Sequence, residues 1–335
     1  MGRALVVAGP GRIALETRRE PSAGPDELLV RPTTVGLCGT DLEIIDGLID
    51  PAYVRYPIVI GHEWAGVVVH DDSGERAPGT PVVVEGIVPC GHCLRCLAGD
   101  TNLCETYDEL GFTRDGAAAD ALAVPSSLVH HLAANVDPED AALVEPCAVV
   151  HRALTRAAPE PGGRALVVGD GTVALLTAHL LGLWLPAEVV MLGLRPQQRD
   201  LAAMAGASRF TVDPGEVGTG YDLVVEAAGA GSAVLSAIAG ARRGGTVVVL
   251  GLPPHGETVP VAFDDVVNAD LRIAGSFSYT SSAWRDVVGL VNGGSLTPGR
   301  VVTHRFPLED WQTAIDALRG DDGPRGKVLL TVGAP

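Results

Sequence analysis

Four of the six cysteines of this chain crowd into one short stretch. They read Cys90-Gly-His-Cys93-Leu-Arg-Cys96, then seven residues, then Cys104, a C-x2-C-x2-C-x7-C pattern. Two-residue spacings let successive sulfurs turn inward around one ion, and the longer gap brings the fourth from the far side. Four thiolates at about 2.3 Å from one tetrahedral Zn²⁺ leave no position for substrate. Such an ion organises a loop and does no chemistry itself. His92 lies inside the loop, but four sulfurs already satisfy the ion, so surface solvation is its expected role. In a chain read as cytosolic, this clustering is a metal pattern rather than a disulfide framework.

A second chemical signature is Val168-Gly169-Asp170-Gly171-Thr172-Val173-Ala174, a G-x-G-x-x-A run that follows a strand and opens a helix. The first glycine makes the turn. The second lets backbone amides approach a pyrophosphate at the helix N-terminus, and alanine keeps the helix close to the strand. Gly169, Gly171, Thr172 and Val173 are thus candidate dinucleotide contacts. The discriminating residue belongs about twenty positions on, at the end of the next strand. There the sequence reads Val189-Val190-Met191-Leu192-Gly193-Leu194-Arg195, with no carboxylate to take a free 2′-hydroxyl. Gly193 leaves room and Arg195 offers a fixed positive fork for a 2′-phosphate. The expectation is NADP(H) in preference to NAD(H).

These groups need elements to hold them, and the sequence divides accordingly. From Met1 to about Pro146 it shows short β-like runs (Glu27–Val35, Trp64–His70, Pro81–Glu85) broken by Gly and Pro. From about Ala148 to Gly275 strands alternate with helices, the mark of a doubly wound parallel sheet. The strands are Arg164–Gly169, Glu188–Gly193, one ending at Thr211, Asp222–Ala227, Gly245–Leu250 and Leu271–Gly275. Helices are expected over Thr172–Leu183 and Pro196–Gly206. Between Thr211 and Asp222 the segment is too short and too rich in Gly and Pro for a full helix, which predicts an irregular crossover. From about Ser276 mixed helix and strand returns. The fold class is α/β, with a mainly-β domain over 1–147 and 277–335 and a doubly wound domain over 148–276.

Bulk properties exclude some functions. A length of 335 residues suits two cores, and 47% hydrophobic with 19% charged residues is an ordinary globular composition. The net charge of −17 disfavours nucleic acid, which needs clustered Lys and Arg; Lys327 is the one lysine of the chain. No apolar run is long enough for a signal peptide or a membrane span, so cytoplasmic residence without a membrane partner is expected.

Gly36-Leu-Cys38-Gly39-Thr40-Asp41, then Gly61-His62-Glu63-Trp64-Ala-Gly-Val-Val, then the four-cysteine loop, then Val144-Glu145-Pro146, resembles the medium-chain dehydrogenases. Within them it is similar to the zinc-dependent polyol, sugar and cyclitol branch, in order over nearly the whole chain. The resemblance implies a GroES-like catalytic domain beside a Rossmann domain, two zinc ions per subunit, and a homodimer or homotetramer. It implies that Cys38 and His62 ligate the catalytic zinc, with Glu63 a third ligand or a close partner of one. Glu145 stands where the polyol branch has its glutamate. Cys147, two residues off, reads as a buried thiol. Thr40 would bond the substrate hydroxyl; Glu43 stands where many relatives have a relay histidine, so either Glu43 or solvent carries the proton. Ala228, Leu250 and Ser276 fall where relatives line the ribose and nicotinamide. Assembly would use strands near the end of the nucleotide domain, and Gly245–Gly251 and Leu271–Gly275 are apolar enough.

The chemistry is coherent on general grounds. A zinc ion with three protein ligands and one exchangeable position binds the substrate oxygen as a Lewis acid. The resulting expectation is hydride transfer between NADP(H) and a secondary hydroxyl or carbonyl of a polyol, sugar or cyclitol. Around the pocket, Tyr53, Tyr56, Trp64, Tyr107 and Phe112 are read mostly as packing. Arg114 and Asp115 either bond neighbouring hydroxyls or form a surface turn. Two other readings stand: an NADPH-dependent reductase of simpler aldehydes or ketones with a more apolar pocket, and a zinc-stabilised nucleotide-binding protein without turnover. Zinc-free relatives that reduce activated double bonds typically lack Cys38, His62 and the cysteine loop.

Overall fold

The computed structural model describes residues 1–254, 256–320 and 323–333. The chain folds as two compact units. One gathers Met1–Glu145 and most of the chain from Tyr279 onward. The other gathers Pro146–Ser278 and also takes in a short return ending at Gly326. That return, and residues 146–147 and 277–278, differ from the sequence division, which assigns 1–147 and 277–335 to the first unit.

The second unit is one sheet of six parallel strands. In spatial order they are Arg209–Thr211, Glu188–Leu192, Arg164–Val168, Tyr221–Glu226, Ala241–Val249 and Arg272–Gly275. The inner strands are near-continuous runs of Val, Leu and Ala because helices cover both faces. Leu166, Val190, Val224 and Val247 are at 0–1% exposure in its core. The order turns at the strands Arg164–Val168 and Tyr221–Glu226. In such a sheet a dinucleotide lies in the crevice outside the carboxyl ends at that switch. The predicted irregular crossover is there: between Thr211 and Tyr221 only one helical turn forms, Pro214–Val217, capped by Asp213.

Element ends differ from expectation where local capping decides them. The first helix stops at Leu181 and continues as a 3-10 turn, Gly182–Trp184. The second opens as a 3-10 turn, Pro196–Gln198, before the α-helix Arg199–Met204, because Pro196 fixes the first turn.

The first unit is mainly β. Its long strand Glu27–Leu37 pairs antiparallel with Glu63–Asp71 on one side and Lys327–Thr331 on the other. Val302–Pro307, Pro81–Val84 and Val129–His131 extend this sheet, and Gly2–Gly9 with Arg12–Arg18 forms a second. The register sets the site: Gly36 stands opposite Glu63, and Leu37 opposite Val328. Leu5, Leu28, Val35, Ile60 and Val328, all at 0% exposure, pack the core beneath. Among the described residues no helix is long and apolar enough to cross a membrane.

Candidate active site, zinc centres and dinucleotide crevice

Cys38 sits where the strand Glu27–Leu37 gives way to the helix Gly39–Asp46 and is that helix's N-cap. Its Sγ accepts the Thr40 N–H at 3.3 Å, while the Cys38 N–H donates to Asp41 Oδ2 at 2.8 Å. This is a capping box built on a cysteine, and it fixes the sulfur against the helix terminus. Glu63 opens the neighbouring strand, His62 immediately precedes it, and Glu145 lies in the first turn of the helix Val144–Ala157.

Two donor groups meet at His62. The ligand atoms of Cys38, Asp41 and His62 lie within 4.8 Å of one another, and so do those of His62, Glu63 and Glu145. His62, Glu63 and Glu145 are all buried. His62 Nδ1 and Asp41 Oδ1 stand 3.5 Å apart, too far for a good hydrogen bond, and each is buried with no hydrogen-bond partner among the described residues. Burial pushes the Glu145 carboxyl up to about 8, with Glu63 beside it adding to the shift. Burial likewise raises Glu109 to about 7, against the opposing pull of His62. Burial opposes a proton on His62, yet Asp41 and Cys38 outweigh it and hold its pKa well above the usual imidazole range. Acid has been gathered here in excess of the local positive charge. The donors are one sulfur, one imidazole and carboxylate oxygens, and that set with that charge fits Zn²⁺.

The two glutamates are not equivalent. Glu63 forms a buried ion pair with Lys327, whose Nζ also donates to the Leu37 carbonyl at 3.3 Å. Gly36 makes the pair possible, since a Cβ there would stand 2.5 Å from Glu63 Oε2. Burial works against the charge on Lys327, but Glu63 and Cys38 more than compensate and raise its pKa. Glu145 makes no ion pair among the described residues and is free to face a metal.

The four-cysteine loop is a separate centre. The sulfurs of Cys90, Cys93, Cys96 and Cys104 lie within 4.8 Å of one another, and these four cysteines form no disulfide. Backbone N–H groups point at the sulfurs: Cys93 at Cys90, Cys96 at Cys93, and Cys90 at Cys104, over 3.3–3.4 Å. The His92 backbone N–H, with that of Cys93, lowers Cys90 to about 6, while burial drives Cys96 up to about 12. A shared cation would let four such sulfurs ionise together. His92 is exposed and turned to the Cys90 carbonyl, as its surface role requires.

The second unit collects its predicted residues along one edge of the sheet. Gly169 carries φ +134° and closes on Ala227, while Gly171 caps the helix Thr172–Leu181 without a side chain, leaving the N–H groups of its first turn to an anion. Ala228 follows the strand Tyr221–Glu226, and its N–H is held by Glu226 Oε1 at 2.8 Å. Leu250 follows Ala241–Val249; Ser276 follows Arg272–Gly275. All lie at strand carboxyl ends.

Against known proteins, residues 24–134 match the alcohol dehydrogenase GroES-like domain and residues 169–293 the zinc-binding dehydrogenase domain. The chain is 34% identical over 329 residues to an L-threonine 3-dehydrogenase of Streptomyces coelicolor, covering 93% of each. It is 29% identical over 338 residues to a sorbitol dehydrogenase of Halalkalibacterium halodurans, covering 96% of each. A Sinorhizobium meliloti 1021 structure described as a zinc-binding dehydrogenase bound to NADP superposes with a TM-score of 0.91 at 30% identity, over 99% of both chains. The chain belongs to the zinc-dependent medium-chain alcohol dehydrogenases.

In this dehydrogenase several predicted residues keep other company than the sequence suggests. Arg195 is not a free fork at a strand end bare of acid: Asp170 reaches across and pairs with it at 2.6 Å. Arg114 is tied to Glu27 and Asp108, and Asp115 accepts the Val59 N–H and pairs with Arg18, so both brace a turn. Of the aromatics, Phe112 does reach the site, its ring 5.1 Å from that of His62. Cys147 is fully buried. Thr40 Oγ1 lies 3.4 Å from the Cys38 sulfur, and Glu43, one turn along the same helix, is exposed. Sequence reasoning missed Asp41, Glu109, Asp170 and Lys327. The C-x-x-D capping box was a legible sign of Asp41; the others are brought in by tertiary contacts.

Two predictions follow from the charges. In Lys327→Met, Glu63 stays buried without its cation, so chemical denaturation will show a loss of about 3–5 kcal/mol, largely recovered by adding Glu63→Gln. A loss below ~1 kcal/mol contradicts the pair's structural role. The second concerns pH. The Glu145 carboxyl rises from 4.5 to about 8 on folding without metal. Stability of the metal-free protein therefore falls as pH climbs through that window, while zinc affinity grows because the metal displaces that proton. Chelator competition at the open site will show binding weakening as pH falls below about 8, by roughly tenfold per pH unit for each ligand proton displaced, and Glu145→Gln will lower the slope by about one proton, leaving that of His62. A flat wild-type profile rejects this.

Proposed function

We propose that this dehydrogenase passes hydride between NADP(H) and a secondary hydroxyl or carbonyl of a polyol, sugar or cyclitol. The observation that carries the reading is Glu145, a buried carboxylate with no ion pair among the described residues, which converges on His62. With Cys38 it makes a mixed sulfur, nitrogen and oxygen set, leaving a position for substrate. Cys38, His62 and Glu145 are the ligands of this reading, and Glu63 is held beside them by Lys327. A second zinc ion belongs to Cys90, Cys93, Cys96 and Cys104. Bound at the open site, zinc supplies a Lewis acid that lowers the pKa of a substrate hydroxyl.

The protein's own part is to orient and to move a proton. Thr40 Oγ1, fixed beside the Cys38 sulfur at the helix terminus, takes the hydroxyl proton. Glu43 lies three residues on along the helix face and is exposed, so it or solvent carries the proton outward. The relatives support a polar substrate, since sorbitol and L-threonine are both small and carry a secondary hydroxyl. NADP in the Sinorhizobium meliloti neighbour supports NADP(H), together with Arg195 near Gly193 at the end of the second strand. Free thiols and strong negative charge suit a cytoplasmic enzyme that binds no nucleic acid.

Self-association fits the last strand, Arg272–Gly275, which among the described residues pairs on one side only. Ile273 on it and Phe263 and Val267 on the preceding helix are 39%, 71% and 74% exposed, an apolar edge suited to a second copy. Ile273→Arg will reduce the solution mass to that of a monomer by light scattering; an unchanged mass counts against this edge.

Turnover itself is tested at Cys38. Assayed with NADP⁺ on a panel of polyols, aldoses, cyclitols and simple alcohols, the wild type will favour the polyhydroxylated compounds. Cys38→Ala will lose activity while keeping circular dichroism and melting temperature. Activity retained in Cys38→Ala, or confined to apolar alcohols, overturns the reading.

A further inference from the structure

The end of the second strand of the parallel sheet contains a lock. Asp170, the middle residue of the Gly169-Asp170-Gly171 turn, lays its carboxylate into the space beside Gly193. A Cβ on Gly193 would stand 2.7 Å from Asp170 Cβ and 2.8 Å from its Oδ2, so the glycine makes room for this side chain. Oδ2 accepts the N–H groups of Leu194 and Arg195, both at 2.9 Å. Oδ1 takes Arg195 Nη2 at 2.6 Å, and the same nitrogen donates to the Asp170 carbonyl at 3.3 Å. Gln198, fully buried, holds that carbonyl at 2.6 Å and is clasped in turn by the backbone of Arg325 at 2.7 and 2.8 Å.

Arg195 is therefore folded down onto the glycine turn, its charge met by Asp170 and its side chain only 13% exposed. The fit is incomplete. Nη1 is buried with no hydrogen-bond partner among the described residues. A donor buried without an acceptor is a standing penalty, and turning outward to an anion removes it.

The geometry points to Asp170 as the residue that tunes discrimination between the two nicotinamide carriers, by competing with the 2′-phosphate for Arg195. The inference rests on reading Arg195 as the partner of that phosphate. A cofactor with a free 2′-hydroxyl leaves the lock shut and gains nothing from Arg195. A 2′-phosphate must draw the guanidinium away from Asp170 and sit near a fixed carboxylate of its own sign. Both effects temper the preference for the phosphorylated carrier, and both vanish when the carboxylate is neutral. Asp170→Asn keeps an oxygen for the Leu194 and Arg195 N–H groups and removes the charge.

The test uses the intact enzyme and two cofactor fragments, 2′,5′-ADP and 5′-AMP, titrated by calorimetry. Asp170→Asn will tighten 2′,5′-ADP by about tenfold and leave 5′-AMP within about twofold, and the gain will disappear when Arg195→Ala is added. Asp170→Ser, which keeps an acceptor but no charge, will move the same way and serves if the asparagine variant does not fold. Equal weakening of both fragments makes Asp170 a brace for the turn and overturns the inference. Selective weakening of 2′,5′-ADP overturns it too, because the carboxylate would then be presenting Arg195 rather than withholding it. The wild-type ratio of the two affinities tests the NADP(H) reading by itself; the change of that ratio at position 170 tests the competition.

Discussion

Glu63 and Lys327 are separated by 264 residues of sequence and sealed from water, at 3% and 2% exposure. Either charge alone in that place would cost several kcal/mol, so each is tolerable only because the other is present. Their meeting requires the strand Lys327–Thr331 to lie antiparallel against Glu27–Leu37, and requires position 36 to have no side chain. Glu63 adjoins His62, and Cys38 directly follows the strand Glu27–Leu37, which lies between the strands of Glu63 and Lys327. The proposed open metal site thus depends on a piece of chain added near the end, and its donors meet only when the mainly-β unit has closed.

The two cysteine-bearing centres contrast in how they are assembled. Cys90, Cys93, Cys96 and Cys104 are near neighbours in sequence, and local turns and backbone N–H groups bring their sulfurs together. Cys38, His62 and Glu145 come from a helix cap, a strand start and a helix start. The first arrangement would fill a metal's coordination and steady a loop. The second leaves buried acid held at high pKa until a cation arrives, and it is this imbalance that a working zinc uses.

What the sequence made legible was local. The cysteine spacing, the G-x-G-x-x-A turn and the alternation of apolar runs with helices each reflect contacts within a few tens of residues, and each appears in the structure. Even the irregular crossover before Tyr221 was readable from its Gly and Pro. The misreadings lie where distant segments meet. Arg195 looked like an open cation because the acid that covers it comes from Asp170, on the turn after a different strand. Lys327 looked like a compositional oddity because its partner is almost a whole chain away. Arg114 and Asp115 looked like possible substrate contacts until Glu27, Val59 and Arg18 were seen to occupy them. Asp41 is the exception, a local feature that a capping-box reading of Cys38 would have found.

The most direct measurement of the central claim is zinc-edge X-ray absorption on the fully loaded protein, with the metal counted in the same sample. Four sulfurs on one zinc and one on the other average to about 2.5 sulfurs per zinc, with nitrogen and oxygen making up the rest, at two zinc ions per subunit. One zinc per subunit bound by four sulfurs would mean that Cys38, His62 and Glu145 do not hold a metal, and would contradict the account.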